Sequence, residues 1–75
     1  MRHTCVIAFG AYYTDAPHSF AAARSLTAAR RWLRARGYKA RERRPLTLAY
    51  FENDESQQWA RVVAAPFIGE NHDAH

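Results

Sequence analysis

The stretch Ser25–Tyr38, SLTAARRWLRARGY, constrains the topology most, because only one placement of a helix through it keeps large apolar residues off its arginine face. At about 100° per residue with Leu26 at zero, Leu33, Ala29, Trp32, Ala28 and Ala35 fill one half of the helix. Arg30, Arg34, Thr27 and Arg31 occupy a stripe about 100° wide opposite them. Extending the helix backwards through SFAAAR carries Phe20 to about 120°, into the middle of that stripe, where a ring has nothing to pack on. The conflict disappears if Ser25 is the N-cap, its hydroxyl accepting a bond from a first-turn amide, and Leu26 is the first helical residue. Gly37 then supplies the left-handed position that ends a helix, with Arg34 and Arg36 near the negative dipole end. Residues 19–24 become a short strand, although their alanines favour helix.

Strands flank this helix. TCVIAFGAYY, Thr4 to Tyr13, is β-branched and aromatic, with Cys5, Ile7 and Phe9 on one face and Val6, Ala8 and Tyr12 on the other. Gly10 within it marks a bulge or a close approach, and TDAPH is turn chemistry. YKARERR reads as an extended lead-in. Pro45, which cannot donate to a ladder, marks an edge or a strand start. LTLAYFE, Leu46 to Glu52, and WARVVA, Trp59 to Ala64, form a hairpin around NDESQQ, and Pro66 ends it. The expected fold is α+β, ββαββ: a four-stranded antiparallel sheet with one helix packed on one face. The alternative is βαββ with a longer helix from Ser19. Leu26, Ala29, Trp32 and Leu33 would meet Ile7, Phe9, Leu46, Leu48 and Val62 or Val63 in the core. Val6, Ala8, Tyr12, Thr47, Ala49 and Phe51 would lie on the open face, which is apolar enough to suit a docking surface or a homodimer. Residues 1–68 form the single domain and 69–75 a polar flexible tail.

The chain of 75 residues holds one small core. Its hydrophobic fraction of 48% excludes a disordered chain. No run suits a membrane span or a signal peptide, and a lone cysteine fits a reducing compartment, so a soluble, cytoplasmic protein is expected. Cys5, in a β-branched run, reads as a small buried hydrophobe.

No catalytic constellation emerges. His72, Asp73 and His75 could pick up a metal only opportunistically, Glu52, Asp54 and Glu55 suit a solvated turn, and His18 lacks a supporting carboxylate. Gly10, Gly37 and Gly69 are isolated, so no phosphate-cradling loop is present. The expectation is a protein that is not an enzyme and uses no cofactor or metal.

Charge is more informative. Eight of the eleven basic residues, Arg30, Arg31, Arg34, Arg36, Lys39, Arg41, Arg43 and Arg44, are concentrated around a single acid, Glu42. This basic surface, Arg30, Arg31 and Arg34 on the helix with Arg41, Arg43 and Arg44 extending it, suits a protein or ribonucleoprotein partner, or DNA or RNA contacted directly. Tyr12, Tyr13, Tyr38 and Tyr50 would stack on bases if exposed. A plain solvated helix face remains the other reading of the same residues.

At FAAARSLTAARRWL, where a short strand runs through a Ser-Leu cap into an alanine-arginine helix, the chain resembles small phage and mobile-element proteins of ββαββ type. Some of these are anti-CRISPR inhibitors of type I surveillance complexes. The shared local pattern, A-x-S-L-x-x-A-x-R, is carried by Ala23, Ser25, Leu26, Ala29 and Arg31. The resemblance implies a non-enzymatic inhibitor that docks on a crRNA-guided complex. The basic charge departs from DNA mimicry and favours an acidic protein surface or nucleic acid beside it.

Overall fold

The computed structural model describes residues 5–64. The 69–75 tail, His3, His72 and His75 fall outside that range. Five strands and one helix follow in the order β1 (Cys5–Ala11), β2 (Ser19–Ala23), α1 (Leu26–Ala35), β3 (Lys39–Arg41), β4 (Ala49–Asn53) and β5 (Gln58–Ala64). All strands join one antiparallel sheet in the order β2-β1-β5-β4-β3. This corrects the expected four-stranded sheet. The fifth strand is β3, cut from the segment read as a lead-in, and it pairs Lys39, Ala40 and Arg41 with Glu52, Phe51 and Tyr50. Ser19–Ala23 is a strand, so the longer helix from Ser19 does not form.

The helix links the two edges of the sheet. Five strands at about 4.8 Å spacing set those edges about 19 Å apart; ten helical residues supply about 15 Å, and Gly37 and Tyr38 complete the crossing. Ser25 caps the start, its Oγ accepting from the Ala28 amide at 3.1 Å. At the other end Gly37 takes φ +90°, and the amides of Gly37 and Tyr38 donate to the carbonyls of Arg34 and Leu33. That paired closure swings Tyr38 back against Leu33 in the core.

Ala29 and Leu33 of α1 pack on Cys5, Ile7, Phe9, Ala49, Phe51, Ala60 and Val62, with Leu26 at the margin. Phe9 holds Trp32 and Tyr38 by tilted ring contacts, each at 5.9 Å between centroids. Trp32, expected in the core, stays 38% exposed at the helix flank.

The facing of β4 is the reverse of the expected one. Ala49 and Phe51 belong to the helix-side core, while Leu46 is 83% and Leu48 39% exposed. The cause is local: Leu46 adopts φ +63°, and Thr47 turns back to the Arg44 carbonyl through both its amide and its Oγ. From that turn onward the alternation runs in the opposite phase, with Thr47, Ala49 and Phe51 buried and Leu48 exposed.

Asn53 ties the hairpin to the helix. Its Oδ1 accepts from the amides of Glu55 and Ser56, and its Nδ2 donates to the Arg36 carbonyl at 3.2 Å. One buried side chain thus sets the β4–β5 turn and satisfies a carbonyl at the helix end.

Candidate binding surfaces

Strand register places every sheet side chain on one of two faces. On the side away from α1, Phe20, Ala8, Arg61, Tyr50 and Arg41 form a row across all five strands, and Gly10, Trp59, Glu52 and Lys39 form the next. Ala8, Tyr50 and Trp59 are buried there as a second small cluster. Trp59 lies directly over Gly10, where a Cβ would fall inside the indole ring, and its Nε1 donates to the Thr14 carbonyl at 2.8 Å. The glycine thus serves a close approach.

Arginines roof these rings. The Arg61 guanidinium lies 4.1 Å from the Trp59 ring centroid and that of Arg44 4.4 Å from Tyr50. Carboxylates neutralise them. Glu52 meets Arg41 at 3.3 Å and Arg44 at 3.9 Å, Asp54 meets Arg41 at 3.3 Å, and Asp15 meets Arg61 at 3.8 Å. Tyr12, Thr14, Arg44, Tyr50, Glu52 and Arg61 surround an open groove of about 690 Å³ on this side. Arg43 lines a shallower depression beside Arg41 and Arg44.

The tyrosines divide by burial. Tyr12 donates its hydroxyl to Asp54 at 2.6 Å. Desolvation, then that bond and the charges of Asp54 and Glu52, push its pKa up to about 12 against the opposing pull of Arg41. Burial likewise raises Tyr38 and Tyr50 above the ordinary phenol value. Tyr38 is in the helix-side core and Tyr50 lies beneath Arg44, while Tyr13, at 92% exposure, is open and Tyr12, at 40%, is partly so.

The helix carries a different set of arginines. Arg30, Arg31 and Arg34 are exposed on the outer side of α1, and among the described residues none of them meets a carboxylate. Arg36 instead stacks on Trp32 at 4.1 Å. The basic residues read from the sequence as one patch therefore form two groups, Arg30, Arg31 and Arg34 on the helix and Arg41 and Arg44 on the far face of the sheet. Sequence reasoning missed Arg61, Asp15 and Trp59 as members of the second group. The signal available was the i, i+2 spacing of Trp59 and Arg61, which places both on one face.

Cys5 is buried and in no disulfide, and the His18 ring hydrogen-bonds through Nδ1 with the Ser19 Oγ at 3.1 Å. No group of three or more His, Cys, Asp or Glu among the described residues is arranged to hold a metal. No helix among them is long and apolar enough to cross a membrane. No protein-family model, curated protein or solved structure matches the chain.

Proposed function

We propose that this chain is a small non-catalytic module that docks through the outer face of α1, with Arg30, Arg31 and Arg34, on a partner containing nucleic acid. The observation that carries the reading is the unequal pairing of its arginines. A guanidinium matched by a neighbouring carboxylate has little field left for a ligand, whereas three guanidiniums on one helix that meet no carboxylate among the described residues keep their charge and their fork of donors. The strand-cap-helix junction at Ala23–Arg31 makes a phage-type inhibitor acting on a crRNA-guided complex the partner class to test first. The fifth strand is a departure from that layout.

Direct binding to DNA or RNA is the second reading, favoured by the same three guanidiniums. Three phosphates neutralised on duplex DNA give a log–log salt slope of about −2.7, so affinity should fall about fortyfold between 50 and 200 mM salt. Gel shifts across that range test it; absence of any shift at low salt removes direct binding and leaves the docking reading. Changing Arg30, Arg31 and Arg34 together to Glu reverses the field of that face and should abolish binding, with the far-ultraviolet circular dichroism of the parent. Retained binding by this folded variant overturns both readings.

A further inference from the structure

The two edges of the sheet are unlike. The β3 edge is three residues long, carries Lys39 and Arg41, and runs into Glu42, Arg43, Arg44 and Pro45. Short length, charge and proline are the devices by which a sheet edge is kept from pairing with another chain. The β2 strand itself, SFAAA, carries no charge and no proline and keeps a regular register with β1 over all five residues, with Pro17 and Arg24 lying just beyond its ends. Its outer backbone groups meet no further strand of the described chain.

Apolar side chains flank this edge on both faces of the sheet, with Arg24 at its C-terminal end beside the helix-side groove. Phe20, 61% exposed, and Ala22 lie on the open side; Ala21 and Ala23 line a groove of about 340 Å³ with Ala28 and Trp32 on the helix side. The helix turns Arg30, Arg31 and Arg34 elsewhere. With Ala28 and Trp32 on the flank towards β2, Arg31 points outward and Arg30 and Arg34 lie further round, away from that flank. A second copy, with the same net charge of +4, can therefore approach β2 without bringing those guanidiniums together.

We propose that β2 is the interface of a homodimer, in which β2 of one copy pairs antiparallel with β2 of a second to give a continuous ten-stranded sheet. The sequence of the strand is complementary to itself in this arrangement. With the two-fold axis at Ala21, Phe20 lies opposite the second copy's Ala22 and Ser19 opposite its Ala23, so each ring packs over a small residue and no large pair collides. Alanine at three of five positions lets the backbones close to sheet spacing. The axis is perpendicular to the sheet, so both helices come to the same side, and their Arg30, Arg31 and Arg34 form one basic surface in duplicate. The pairing itself does not depend on what that surface binds.

Sedimentation equilibrium of the full chain, from micromolar to near-millimolar concentration, should show a concentration-dependent species of twice the 8.6 kDa chain mass. Phe20→Lys and, separately, Ala22→Lys place a charge at exposed positions of the edge. Each should raise the dimer dissociation constant about tenfold or more with the circular dichroism of the parent. A chain that remains at 8.6 kDa throughout, or a dimer that neither folded variant weakens, overturns the proposal. Mass is read without nucleic acid, so failure here is distinct from failure of the binding reading.

Discussion

On the open side of the sheet Arg41, Arg44 and Arg61 each meet a carboxylate, and two of them lie on aromatic rings, whereas Arg30, Arg31 and Arg34 stand on the helix with no acidic partner among the described residues. The same residue type serves two ends. Over Tyr50 and Trp59 the arginine stems and guanidiniums cover a patch that the helix does not reach, sealing half of the sheet that would otherwise be bare. On α1 the buried work is done by Ala29 and Leu33, which leaves the arginines unconstrained by packing. The difference shows that a basic count along the sequence is not a basic surface; partners in space decide which charges remain available.

The contrast can be broken most forcefully from beneath the open side. Gly10→Ala drives a methyl into the Trp59 indole and should cost about 3 kcal/mol or more, a fall in Tm of at least about 12 °C by differential scanning calorimetry. Below that lowered transition the helix face should still bind. Removing the helix cap is a smaller perturbation on the other side. Ser25→Ala leaves the Ala28 amide without its acceptor and should lower stability by about 1 kcal/mol, or about 4–8 °C in Tm. Arg61→Ala removes one covering guanidinium and a long, part-exposed ion pair, so its cost should stay within about 1 kcal/mol in urea titration. Nucleic-acid or partner affinity should not change, and a large loss there would make the sheet-side arginines part of the binding surface.

The smallest effect is a pH dependence. The Tyr12 phenol is raised to about 12 in the fold, against 10.0 for the free group. A raised value favours the neutral phenol in the native state. Its contribution is therefore complete below pH 10, the unfolded value, and is lost as pH climbs towards 12. Ultraviolet titration of phenolate should show one fewer late-ionising tyrosine in Tyr12→Phe, with the remaining steps unchanged.

Phe20 made the start of the helix legible, because one misplaced ring on a helical wheel outweighs the helix preference of three alanines. Ser25 and Gly37 fixed its ends by chemistry that acts within a few residues. The third strand was not legible, since all three residues of Lys-Ala-Arg are exposed and show no apolar alternation; its pairing depends on Glu52, Phe51 and Tyr50, on a later strand. The facing of β4 was hidden for a different reason. Tyr50 and Phe51 are adjacent and both buried, one on each side of the sheet, so neither phase of the alternation is visibly polar. Of the candidate surface, the helix arginines followed from periodicity alone, while their separation from Arg41 and Arg44 required the sheet to lie between them. The carboxylates that silence the second group come from Asp15 on one segment and Glu52 and Asp54 on another, and no local pattern announces their convergence on Arg41, Arg44 and Arg61.

Trp59 and Trp32 occupy opposite sides of the sheet, one 3% and the other 38% exposed, each beneath a guanidinium. The chain therefore carries two built-in optical probes of unequal accessibility. A neutral quencher in solution should reach the helix-side indole well before the one sealed over Gly10. Emission quenched early follows events near the helix, and emission quenched late follows the integrity of the far side, so one fluorescence experiment can tell occupation of a surface from loosening of the fold.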